Sequence, residues 1–152
     1  MTMKRYVAPL SVALGLALIP VAVSAQSNDP RPPDAYVAQR GERLLDTRTT
    51  GKLRAGVSYD VQIPGADVGG VTAVTLNLKA LNAKAAGYLT VYPQGPQPHV
   101  SQLDFEPGGI FNNQATIGLT QGGSVRVFTS ADVDVVIDWF GSFEVAQVES
   151  AE

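Results

Sequence analysis

The 152-residue chain has no cysteine, a single histidine and a single tryptophan. Without cysteine there is no disulfide to close its loops and no thiolate to bind zinc or attack a substrate. One histidine is too few for a typical zinc or copper centre within one chain. No metal and no cofactor is therefore expected. Amphipathic helix patterning is also missing: residues 81–86 offer room for one helical turn at most. Charged residues make up only 16% of the chain, so most of what remains is apolar, small or uncharged polar.

The beginning of the chain has the pattern of an export signal. Lys4 and Arg5 precede a largely apolar run over residues 6–23, and Val23-Ser24-Ala25 places small residues where signal peptidase cuts. Cleavage after Ala25 leaves Gln26 as the new N-terminus. Pro9 and Pro20 interrupt the run, which favours a cleaved leader over a membrane anchor, and no cysteine follows it to carry a lipid. With Lys4 and Arg5 removed, nine basic residues face fourteen acidic ones, a net charge of −5. That balance argues against nucleic acid and anionic membranes as partners, since both are bound through clusters of Lys and Arg. The expected compartment is outside the cytoplasm, either secreted or periplasmic, with association to a cell surface open.

Punctuation divides the mature chain. Residues 26–41 read as a polar, proline-containing approach segment, residues 42–143 as one domain, and residues 144–152 as a frayed tail. Within the domain, alternation over residues 57–63 and 71–78 predicts half-buried strands. In the second of these Val74, Leu76 and Leu78 face one way, Thr75 and Asn77 the other. Tyr88-Leu89-Thr90-Val91-Tyr92 is a third strand closed by Pro93, and further strands are predicted over 100–105, 114–119 and 124–129. The unbroken apolar centre of residues 132–140 predicts a strand buried on both faces. Seven to nine short antiparallel strands at this spacing predict an all-β fold, a single jelly-roll-like β-sandwich.

Arg43-Leu44-Leu45-Asp46-Thr47-Arg48, followed by Gly51 and Ala55-Gly56, resembles the opening of a family of secreted β domains. That family is known mostly from actinobacterial extracellular and cell-wall-associated proteins. Further similar stretches are 73–78, Gly87-Tyr88-Leu89-Thr90-Val91-Tyr92-Pro93, 101–105 and 134–138, so the resemblance spans roughly residues 42–143. It implies a secreted β fold and an accessory binding or surface role without an assigned activity. The family frequently carries one cysteine after the Tyr-Pro pair and another in the following strand. This chain has Gln94 and Arg126 in those regions, so that cross-link is missing.

Two sets of residues stand out as candidates. Asp46, Arg48 and Asp138 form an expected structural tie: Asp46 accepts backbone N–H groups at a turn, and Arg48 pairs with Asp46 or Asp138 to join the first strand to the last. The same motif read as a ligand clamp would use Arg48 to grip a carboxylate. The second set is aromatic. Tyr88, Tyr92 and Trp139 are candidate ligand-binding residues, because exposed rings stack on the flat faces of sugars; the competing role is to fill the core. Asp132, Asp134 and Asp138 lie at even spacing and share a strand face, and such a carboxylate set is what glycosidic cleavage or calcium binding would use. Asp138, between Ile137 and Trp139, reads instead as a hydrogen-bonded core-edge residue, and Asp132 as a turn residue. His99 reads as an exposed loop residue. The stretch Ile110-Phe111-Asn112-Asn113-Gln114, apolar and then amide-rich, offers a surface for pairing with another subunit.

Three classes of function are compatible with these residues. The leading expectation is a non-catalytic extracellular binding or adhesion module that holds a polysaccharide or cell-envelope surface. A self-associating structural protein of the cell surface, forming homo-oligomers, is the alternative. A glycosidase-type hydrolase comes third, because it requires a carboxylate pair in a concave site.

Overall fold

The computed structural model describes residues 34–120 and 122–145, all within one compact unit, Arg31–Glu152. The leader expected at residues 1–25 and most of the expected tail lie outside the described residues. No described helix is long and apolar enough to cross a membrane.

The described residues form eight strands: β1 Ala35–Asp46, β2 Val57–Gln62, β3 Val71–Leu81, β4 Gly87–Pro93, β5 Leu103–Phe105, β6 Ile110–Gly118, β7 Ser124–Thr129 and β8 Asp134–Glu144. They form two antiparallel four-stranded sheets, ordered β1-β8-β3-β6 and β2-β7-β4-β5. This is the strand order of a jelly roll, and the expected all-β sandwich is the observed fold. Among the described residues the one helical turn is 3₁₀ and falls at Ala66–Val68, rather than within residues 81–86, where β3 ends and bends follow.

Alternation places one face of each strand in the shared core. Val74, Leu76, Leu78 and Ala80 of β3, Leu89 and Val91 of β4, Val125 and Val127 of β7, and Val135, Ile137 and Trp139 of β8 are buried together. The expected two-sided burial of the last strand is found as well: Val136 on the opposite side of β8 is also buried. This follows from position, because β8 lies between β1 and β3 in its sheet.

The ends of the domain differ from the sequence reading. β1 starts at Ala35, inside the stretch expected to be a mobile approach, because residues 35–38 pair with residues 141–144 of β8. Glu144, assigned to the tail, belongs to β8 and pairs with both Ala35 and Val71. Gly141 permits this docking: a Cβ there would lie 2.3 Å from the Tyr36 hydroxyl. Tyr36 also packs on Phe143 with ring centroids 5.2 Å apart and donates to the Phe140 carbonyl.

In the second sheet Gln94 and Arg126 converge on a carboxylate. Gln94 Nε2 and Arg126 Nε both donate to Asp60 Oδ1, at 3.2 and 2.9 Å. A polar link thus joins β2, β7 and the loop after β4.

Candidate functional site

The Asp-Thr-Arg motif lies where β1 ends and turns. Asp46 accepts from the Arg48 backbone N–H at 3.2 Å and from Arg48 Nε at 2.8 Å, and Arg43 Nη1 reaches its other oxygen at 2.8 Å. The Arg48 side-chain bonds hold the Asp46 carboxyl far below the usual carboxylate range. The expected Asp46–Arg48 pair therefore exists, and the Arg48 fork is taken up by it. The bond from Arg48 to Asp138 does not form; the guanidinium that joins first strand to last is Arg43, whose Nε donates to Asp138. Strand register is the reason, since Arg43 sits directly across from Asp138 on neighbouring strands, whereas Arg48 lies past the strand end.

Thr47 completes this junction from inside. It is buried, its N–H donates to the Val135 carbonyl at 3.0 Å, and its hydroxyl accepts from the Val135 N–H at 2.8 Å. Beside it, Asp134 accepts from Lys52 Nζ and Asn82 Nδ2, both at 2.8 Å. Burial works to raise the Asp134 carboxyl pKa, and the bonds from Lys52 and Asn82 outweigh it, so the net direction is down.

The three late carboxylates are therefore committed separately. Asp134 is held by Lys52, Asp138 by Arg43, and Asp132 accepts the Ala55 backbone N–H at 2.9 Å. Asp132 precedes β8, which begins at Asp134, so the shared strand face expected for all three does not extend to it. Among the described residues no group of three or more His, Asp or Glu is placed to hold a metal ion.

Burial removes two of the three candidate rings. Trp139, 7% exposed, lies in the core, and its indole N–H donates to the Gly141 carbonyl at 2.9 Å. Tyr92 points away from the main core but is only 4% exposed, with its hydroxyl 2.7 Å from Ser58 Oγ. The loop after β4 folds back over this side of the strand: the Thr90 hydroxyl donates to the Val100 carbonyl at 2.6 Å. Neither ring offers a face to a ligand.

Tyr88 remains, 38% exposed. Its backbone is clamped on both sides by Ser130, whose Oγ accepts from Tyr88 N–H at 2.8 Å and whose N–H donates to the Tyr88 carbonyl at 3.1 Å. The ring leans on Phe128 of β7 with centroids 5.9 Å apart. Two surface depressions meet at this ring. One, of about 310 Å³, is bounded by Gln97, Pro98, His99, Val100 and Ser101. The other, of about 470 Å³, is bounded by Ala86, Gly87, Asp104, Phe105, Glu106 and Phe111. Asp104 stands opposite Tyr88 in the β4–β5 pairing and accepts from Ser101 Oγ at 2.7 Å. Gly87 keeps the second depression adjoining the ring: a Cβ there would lie 2.7 Å from Ser130 Oγ and 3.0 Å from the Phe105 ring. His99 is exposed, as expected.

A third depression, of about 650 Å³, is lined by Thr47, Thr50, Lys52, Arg54, Tyr59 and Asp132 among others. Its polar groups are largely spent on the fold, with Lys52 on Asp134 and Asp132 on Ala55. The Tyr59 hydroxyl likewise accepts from the Arg54 N–H. The Tyr88 surface keeps an aromatic ring, an imidazole and two carboxylates at the solvent boundary, and is the better candidate for a ligand. Sequence reading found Tyr88 but not Asp104, Glu106 or Phe128. The alternation Leu103-Asp104-Phe105 already turns Asp104 outward, but its place across from Tyr88 depends on strand pairing.

Fold and site together define a β-sandwich with an aromatic surface site. No model of a known protein family matches the chain, and a search of curated proteins finds no match.

Proposed function

We propose that this protein is an exported, non-catalytic binding module whose ligand is a polysaccharide of the cell envelope, held at Tyr88. The observation that carries this reading is the Tyr88 ring itself, half-exposed, backed by Phe128 and set between two depressions. A pyranose ring presents a flat apolar face that stacks on such a ring, while its hydroxyls need acceptors and donors at the rim. Asp104, Glu106, Gln97 and Ser101 supply them. Asp104 and Glu106 are both exposed on an open surface rather than facing each other across a closed cleft, which favours holding a sugar over cleaving it. The leader-like residues 1–25 and the resemblance of the Arg43–Arg48 motif to secreted wall-associated domains support the compartment.

The test is co-sedimentation of the purified protein with insoluble cell-wall polysaccharide, beside protein alone. Wild type should pellet only with polysaccharide. Tyr88→Ala should bind about tenfold more weakly, since loss of one stacking ring is worth about 1.5 kcal/mol. Tyr36→Ala, which removes an exposed ring on the other sheet, should bind as wild type. Wild type remaining in the supernatant with every wall polysaccharide would sink the proposal.

A further inference from the structure

A sandwich of two open sheets has four edge strands, and their exposed backbone groups invite pairing with other chains unless something blunts them. Three of the four are blunted. β1 carries Arg40, Glu42 and Arg43, and its pairing with β8 is broken twice. β2 carries Asp60, and β5 is three residues long. The fourth edge, β6, has none of these devices. It is nine residues long, contains neither proline nor charge, and pairs with β3 over all nine positions without a register break. No residue from 107 to 125 is charged.

We infer that β6 is a homodimer interface, in which two copies of this chain pair antiparallel edge to edge about a two-fold axis at Gln114. β6 pairs with β3 on one side alone, so part of its backbone points out of the sheet. The Gln114 N–H is among those groups, because its partner is the neighbouring Asn113 side chain at 2.9 Å rather than β3. An incoming strand exchanges that local bond for a main-chain one.

The sequence of β6 is complementary to itself in this register. A two-fold at Gln114 sets Ile110, 70% exposed, against the bare Gly118 of the second copy. Asn112 meets Thr116, and Gln114 meets Gln114, pairs that can hydrogen-bond across the axis. On the inner face Phe111 meets Ile117, which extends the apolar core across the junction. A second copy is the occupant that this pattern selects, since an uncharged strand meets no repulsion from its own image and a closed two-fold leaves no further β6 edge exposed. The inference does not rest on the sugar-binding reading, although Phe111 also bounds one of the depressions beside Tyr88.

Sedimentation velocity on the purified protein tests it. Wild type should sediment as a dimer over a concentration series. Gln114→Lys, which sets two ammonium groups against each other at the axis, should sediment as a monomer that keeps the wild-type circular dichroism spectrum. Asn112→Glu, facing Lys79 within its own sheet, serves as a second monomerising variant should Gln114→Lys fold poorly. Because the chain has no cysteine, Gln114→Cys under oxidising conditions should give a disulfide-linked dimer as the single covalent product. Val57→Cys on the β2 edge should give none. Wild type monomeric at every concentration, a folded Gln114→Lys protein that remains dimeric, or failure of Gln114→Cys to cross-link would each overturn the inference. If the monomeric Gln114→Lys protein still pellets with polysaccharide, the two readings are separable; loss of pelleting there would place the ligand site across the dimer.

Discussion

Asp134 shows how one buried side chain settles both a stability question and a functional one. It is 7% exposed, and an ionised carboxylate so placed is tolerable only because Lys52 and Asn82 both donate to it, with Thr47 beside it. Asp134→Asn keeps the shape and removes the charge, leaving the Lys52 ammonium without its counterion. The expected loss is about 2 kcal/mol, read as a lower denaturant midpoint at pH 7 with an unchanged slope. The pH dependence has a definite sign. Because the folded-state pKa is depressed, the contribution of Asp134 is fully present above the unfolded value of about 3.9 and is lost as pH falls through the folded one. Wild-type stability should therefore hold level from this group between pH 7 and 5 and decline below about 4, and the decline should be shallower in Asp134→Asn. Equal acid slopes in the two proteins would show that Asp134 is not held as described. The same commitments explain why the carboxylates that sequence spacing grouped together do not form a site, since each is held by a different partner: Asp134 by Lys52, Asp138 by Arg43 and Asp132 by the Ala55 N–H.

At the scale of the strand, what was legible was the pattern that burial imposes locally. Val74, Leu76 and Leu78 alternate with polar neighbours, and so do Leu89 and Val91, so their strands and inward faces can be read without a structure. The first half of β6 could not be, because Asn112-Asn113-Gln114 has the composition of a loop and becomes strand through its pairing with β3. The first half of β1 was hidden for a related reason: Gln39-Arg40-Gly41-Glu42 interrupts the alternation at the bulge. The aromatic site was half legible. Alternation put Tyr88 and Tyr92 on one face, but which of them is buried is decided by contacts between distant strands, such as the Tyr92 hydroxyl on Ser58 Oγ. A testable consequence concerns the docking of β1. Gly141→Ala places a methyl where the Tyr36 ring lies, so the Ala35–Ala38 segment should separate from β8 while Arg43 and Asp46 hold the rest of the strand. Hydrogen exchange should rise at residues 35–38 and stay slow at residues 135–137; protection retained at 35–38 would mean that Tyr36 does not anchor this segment.

The whole molecule is held by pairings that join distant parts of the chain. β1 pairs with β8, β8 with β3, β3 with β6, β2 with β7 and β7 with β4; only β4 and β5 are neighbours in sequence as well as in their sheet. Closing loops of this length costs entropy before any contact repays it, which places refolding in the slow range for small domains, about milliseconds to seconds. With no disulfide to hold a partial structure together and β8 needed as the centre of its sheet, half-formed versions of the sandwich expose too much apolar surface to persist. Unfolding should then be a single cooperative step. Trp139 is well placed to report it, being the one tryptophan, buried in the core and located on β8. Its fluorescence and the far-ultraviolet circular dichroism should give the same urea midpoint, and stopped-flow refolding followed at Trp139 should be a single exponential in that time range. Separate midpoints for the two signals would mean that one sheet survives without the other, and that the core spanning both is not the cooperative unit.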